Sequence, residues 1–185
     1  MSVGQARGPF KQSLGSEAGL HSRRVTVEDN IAQLQQTVGD LLQEIERLPR
    51  DVLYREPAAG EWPVMSTLAH VAELLPYWAH QAELVAREPS APFGRTPEDA
   101  GRLGAIEQHG HDSVDAMAPR IRASLEECVA TLRQLPATSW STVGTSPTRG
   151  TMSVEQIVDR FICGHAAEHA AQIRATLQTL QAAPR

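Results

Sequence analysis

The chain has 185 residues, a net charge of −5 and a mean hydropathy of −0.30, with 41% hydrophobic and 21% charged residues. That length suits one domain with a real core, and the composition is that of an ordinary soluble globular protein. The acidic balance argues against broad nucleic-acid binding and against docking on an anionic membrane, both of which need a basic face.

No apolar run approaches the length of a transmembrane helix. Arg7 and Lys11 are followed by no apolar stretch, so a secretory signal is not expected. Cys128 and Cys163 are the only cysteines, too few for a disulfide framework, and the default location is cytoplasmic.

Residues 1–24 are rich in Gly, Ser and charge and lack periodicity. They read as a flexible N-terminal arm ahead of one domain spanning 25–185. His21 lies in the arm and is given no role. The first strong pattern is Ile31, Leu34, Val38, Leu41, Ile45 and Leu48. Steps of three and four make this the apolar stripe of an amphipathic helix, predicted over 27–48. Thr26 suits its N-cap, with Glu28 and Asp29 in the first turn and Pro49 as its stop.

The breaker cluster PAAGEWP, 57–63, precedes a second predicted helix. Two stripes overlap on it, Leu68, Val71, Leu75, Trp78, Ala82, Val85 and His70, Leu74, Tyr77, Gln81, Leu84. So wide an apolar surface packs against more than one neighbour. Pro76 inside it removes a backbone bond and predicts a kink just after His70. Residues 88–112 form a long Pro- and Gly-rich connection, in which PEDAGRLGAIEQ suggests a short helix.

A third long helix carries Val114, Met117, Ile121, Leu125, Cys128, Leu132 and Leu135. Ser113 suits its cap, but Pro119 predicts that the regular part begins near 119. A second loop is expected over 136–152. Ser153 and Gln156 then form a capping box for a fourth helix, predicted over 153–181. No strand-like alternation is evident. Four helices with this pattern mean an all-α fold, a four-helix bundle.

The chemistry lies in the histidines. His165 and His169 are four residues apart, so they sit one above the other on a helix face. Phe161, Ile162 and Ile173 share that face, which turns the pair inward. Seven histidines in this chain make such a spacing a common accident, and two core histidines held by hydrogen bonds would give the same pattern. A metal site with an open position wants a third protein ligand. His70, on the inner stripe of the second helix, is the natural candidate. His80 lies about 80° around the helix from His70 and reads as surface. His109 and His111 read as a solvated pair in the long connection. Cys163 is about 200° from His165 and cannot share an ion with it, and Cys128 reads as a small hydrophobe. Glu168 is expected to face water, and Tyr77 to serve packing.

At these residues the chain resembles the DinB/YfiT-like family. GEWPVMSTLAHVAE, Gly60–Glu73, is similar to its Gly-Trp-Ser signature, with a helix-borne His eight residues after the Trp. TMSVEQIVDRFICGHAAEHAAQI, residues 151–173, resembles its closing His-x-x-x-His followed by Gln-Ile. The resemblance covers about 27–180. It implies an up-down bundle with a divalent metal (zinc, nickel or iron) between the second and fourth helices. The implied ligands are His70, His165 and His169.

It also implies homodimers and chemistry like that of thiol transferases using mycothiol or bacillithiol, and of a mycothiol-dependent maleylpyruvate isomerase. Pro63 stands where the family's Ser follows the Trp, and Ala166 where an Asp often follows the first His of the pair. The leading expectation is activation of a low-molecular-weight thiol for transfer to an electrophilic small molecule. The alternatives are a metal-dependent hydrolase and a non-catalytic metal-binding protein.

Overall fold

The computed structural model describes residues 26–182, so the sequence-predicted arm and His21 lie outside it. Helix α1 spans Val27–Glu46, and its start is the predicted one. The Thr26 hydroxyl accepts from the Asp29 amide at 3.2 Å, while the Asp29 carboxylate accepts from the Thr26 amide at 2.9 Å. Helix α2 runs unbroken over Val64–Arg87 with Pro76 inside it. It buries residues on every face, as its two overlapping stripes require. Helix α3, Ala100–His109, is the short helix suggested within the long connection.

Helix α4 spans Val114–Gln134 and begins well before the expected position. The Ser113 hydroxyl accepts from the Ala116 amide at 3.2 Å and fixes the start. Pro119 then costs a single backbone bond, from the Asp115 carbonyl, and both residues are solvent-exposed. A proline so near a helix N-terminus is tolerated because water satisfies the freed carbonyl.

The last rod is α5, Val154–Ile157, a π-helical stretch, Val158–Gly164, and α6, His165–Ala182. The predicted Ser153–Gln156 capping box opens it. The π-helical stretch was not foreseen. Its wider turn resets which residues face the bundle just before His165. A Cβ at Gly164 would lie 3.1 Å from the Asp159 carbonyl, so glycine eases the close of that stretch. Of the small residues after it, Ala166 and Ala170 are buried, whereas Ala171 faces solvent.

The expectation of a strand-free chain is overturned between α4 and α5. Strands β1, Val143–Ser146, and β2, Gly150–Ser153, form an antiparallel hairpin with Val143 opposite Ser153. Their residues are mostly small or polar and too few to show alternation, which is why the sequence hid them. Residues 90–93 lie along β1 as a short parallel edge. The Phe93 amide donates to the Thr145 carbonyl, and the Thr145 amide to the Ala91 carbonyl, each at 3.0 Å. The two long connections are therefore one clamped unit beside the bundle.

Gly144 makes that clamp possible. A Cβ there would lie 2.5 Å from Val85 Cγ2 and 2.8 Å from the Ala91 carbonyl. Gly144→Ala is expected to destabilise the protein by about 1–3 kcal/mol through overpacking. Gly39→Ala in α1, where nothing lies within 4 Å, should instead stabilise it, by about 0.5–1 kcal/mol. Urea unfolding of both variants checks the pair. Equal midpoints would mean that the close approach at Gly144 is absent.

The bundle core is formed by α1, α2, α4 and the last rod. Helix α2 packs against α4, α3 and the last rod, while α1 packs chiefly against α4 and that rod. This neighbourhood sets the face of α2 that bears His70 against the rod that bears His165 and His169. No helix among the described residues is long and apolar enough to cross a membrane.

Candidate metal centre

His70, His165 and His169 converge. Each offers a ring nitrogen, and the three atoms lie within 4.8 Å of one another. Ring centroids are 4.9 Å apart for His70 and His169, 5.6 Å for His70 and His165, and 4.6 Å for His165 and His169. His70 is 2% exposed, and the other two are half-buried.

Ring nitrogens in such a place are expected to be hydrogen-bonded. Instead, His165 Nδ1 and His169 Nε2 are buried with no partner among the described residues. His169 Nδ1 is 2.9 Å from Gln172 Oε1, an acceptor that fixes the proton on Nδ1 and leaves the Nε2 lone pair free. Burial lowers the pKa of His165 to about 4, helped by the charges of His169, His70, Arg102 and Arg95. Burial also lowers that of His169, against the opposing Gln172 hydrogen bond. At neutral pH both rings are uncharged and available as electron-pair donors. The donor set fits a divalent cation of borderline softness.

Behind His70 stands a carboxylate the sequence reading passed over. Glu73 Oε2 lies 3.4 Å from His70 Nδ1, long for a hydrogen bond but aimed at that ring edge. Arg95 grips the same carboxylate with both guanidinium nitrogens, at 2.5 and 2.6 Å. Burial alone would raise the Glu73 pKa, but His70 and Arg95 outweigh it and hold it below its ordinary value. Arg95 in turn stacks on the Tyr77 ring, 3.8 Å from its centroid. Tyr77 packs, as expected, but what it packs is the clamp on Glu73. Both acceptors follow their histidines by three residues, Glu73 after His70 and Gln172 after His169. That spacing puts them on one helix face and was the available signal.

The histidines open on a cleft of about 350 Å³. Trp78 and Phe161 wall it, stacked at 4.2 Å with an interplanar angle of 11°. Arg95, Arg102, Thr148 and Arg149 line its mouth, so both long connections reach the site. Trp62 meets the His70 ring edge-on at 5.9 Å, and Arg102 sits 5.0 Å above the Trp62 ring.

The remaining candidates lie elsewhere. His80 is exposed and 3.4 Å from Glu127. His109 is not the solvated residue expected, because its Nδ1 pairs with Asp112 at 2.9 Å and the ring is half-buried, while His111 is exposed. Glu168 faces solvent. Cys163 is buried, with its Sγ 3.6 Å from the Asn30 carbonyl. Burial pushes the thiols of Cys128 and Cys163 up to about 12 and about 11.

Solved structures share this architecture. YfiT from Bacillus subtilis, described as a probable metal-dependent hydrolase with an unusual four-helix bundle topology, superposes with a TM-score of 0.71 at 17% identity. The match covers 94% of this chain and 95% of that one. A mycothiol-dependent maleylpyruvate isomerase gives a TM-score of 0.63 at 13% identity over 82% of this chain and 60% of its own. An uncharacterised protein from Clostridium difficile 630 gives 0.63 at 9% identity, covering 81% of this chain and 94% of its own. No curated protein matches at the sequence level. At these identities the likeness speaks for the fold alone. The sequence itself matches the DinB superfamily over residues 33–173, a stretch that takes in all three converging histidines, and the chain belongs to that superfamily.

Proposed function

We propose that His70, His165 and His169 hold a divalent cation, zinc or nickel with iron as the third option, in an enzyme that activates a low-molecular-weight thiol for transfer to an electrophilic small molecule. The observation that carries this reading is the convergence of three imidazoles at a cleft, two of them, His165 and His169, with a buried ring nitrogen that has no partner among the described residues. Bound there, a divalent cation supplies Lewis acidity that lowers the pKa of a thiol or water it contacts.

The chain's own residues support the thiol reading in two ways. Its two cysteines are buried and protonated at neutral pH, so a reactive sulfur has to come from solution. The Trp78–Phe161 stack gives the cleft an apolar wall, suited to the carbon skeleton of an electrophile. Arg95 and Glu73 hold His70 in place and keep that carboxylate occupied.

Hydrolysis is the second reading, favoured by the likeness to YfiT, a probable metal-dependent hydrolase. It would need a general base near the floor of the cleft. Among the described residues no carboxylate lines the cleft, Glu73 is held by Arg95, and Glu168 faces solvent. Calorimetric titration of zinc- or nickel-loaded protein with mycothiol and bacillithiol separates the two. Saturable binding that vanishes on chelation is expected. No heat from either thiol at full metal occupancy would overturn the thiol reading.

A further inference from the structure

The cleft gathers positive charge on an otherwise acidic chain. The chain is acidic overall, and most of the described arginines outside the cleft pair with a carboxylate, the exposed Arg47, Arg55 and Arg160 excepted. Arg87, Arg122, Arg133 and Arg174 pair with Glu83, Glu46, Glu28 and Glu44. At the cleft the balance inverts: among the described residues three arginines line it and no carboxylate does. Arg95 is committed to Glu73, but Arg102 and Arg149 have no carboxylate partner among the described residues.

Arg102 is nonetheless held in place. Its Nη1 donates to the Pro97 carbonyl at 2.9 Å, which orients the guanidinium without neutralising it. The Trp62 ring beneath it fixes the plane's approach. Asp99, the nearest acid in sequence, is spent on other tasks: Oδ1 accepts from the Arg102 backbone amide at 2.9 Å and sits 3.4 Å from Arg95. Arg149 comes from the other long connection, on the turn between β1 and β2. The Ser146 hydroxyl accepts from the Thr148 amide at 3.4 Å in that turn, and Gly150, at φ +72°, closes it. A guanidinium fixed in direction, half-buried and unneutralised is an incomplete ion pair.

The geometry points to an oxyanion subsite formed by Arg102 and Arg149, which binds a carboxylate or phosphate arm of the small molecule that enters the cleft. Its substrates or thiols are therefore anionic. This subsite rests on the reading of the cleft as the ligand site, yet its arginines can be tested without the metal. The anion's arm would lie between α3 and the hairpin turn, with the ligand's apolar part along Trp78 and Phe161. Each arginine is contributed by one of the two long connections, so their mutual clamp through Gly144 sets the subsite's width.

The test titrates full-length protein, in metal-loaded and chelator-stripped forms, with succinate and with inorganic phosphate. Binding is followed by calorimetry and by Trp fluorescence. At least one anion is expected to bind both forms, more weakly as salt rises. Arg102→Gln should weaken binding about tenfold and the exposed Arg149→Gln about threefold, as expected for lost charge-assisted hydrogen bonds. Arg102→Lys, which keeps the charge but not the fork, should fall between.

Whichever anion binds more tightly identifies the arm as carboxylate or phosphate. Unchanged affinity of the stripped form in both glutamine variants would overturn the subsite, as would no anion binding to either form. If metal fails to bind while anion affinity still follows the arginines, the subsite stands and the metal reading falls. If metal binds and the arginine variants behave as wild type, the reverse holds.

Discussion

His70→Ala is expected to remove stoichiometric binding of zinc or nickel, weakening affinity by about seventyfold to a thousandfold. Four-ligand structural zinc sites bind with about 10–16 kcal/mol, which assigns about 2.5–4 kcal/mol to each ligand. His165→Ala and His169→Ala should do the same, because the three ring nitrogens lie together and no fourth His, Cys, Asp or Glu joins the cluster among the described residues. His80→Ala and His109→Ala serve as controls, since those rings pair with Glu127 and Asp112 away from the cleft. Competition with a chromophoric chelator gives the affinity, and circular dichroism of the metal-free variants shows that each is folded. Wild-type affinity in any folded variant of the three would remove that residue from the site.

The second large effect belongs to Glu73. Glu73→Gln keeps the side chain's shape but removes the charge that binds Arg95 and faces His70 Nδ1. Loss of a partner that orients a ligand histidine lowers metal affinity by about 10–100-fold. The same change leaves Arg95, whose side chain is 9% exposed, without its counter-charge. Breaking so sheltered a pair should cost about 3 kcal/mol of stability in the metal-free protein. Arg95→Met tests the other half. It keeps the acceptor beside His70 and is expected to lower stability more than metal affinity. Urea unfolding and chelator competition on both variants separate the two roles. A Glu73→Gln protein that is less stable but binds metal as well as wild type would make Glu73 structural rather than a positioning residue.

The helices and their caps were written locally. Ile31 through Ile45 form a stripe because apolar side chains at steps of three and four share one face, and the Thr26 box closes its start from residues three apart. The same holds for the Ser153 box and for the inward turn of His165 and His169. Local reading failed in two places, for different reasons. Pro119 argued against an early helix start, yet the Ser113 cap and open solvent made α4 begin at Val114. The β-hairpin has almost no pattern of its own. Residues 90–93, more than fifty positions earlier, supply the hydrogen bonds that hold its first strand.

The site divides along the same line. Sequence alone determined that one helix presents His165 and His169 together and that His70 lies on an inner stripe, because both facts follow from helical periodicity. Only the tertiary structure decided that these faces meet, and that Arg95, Arg102 and Arg149 gather around them. Those arginines sit on connections whose course is fixed by long-range contacts: the Gly144 approach, the Gly94 amide on Gln81 at 2.8 Å, and the Arg95 grip on Glu73. A charge in a loop carries no periodicity, so its destination is legible only once the chain has closed around it.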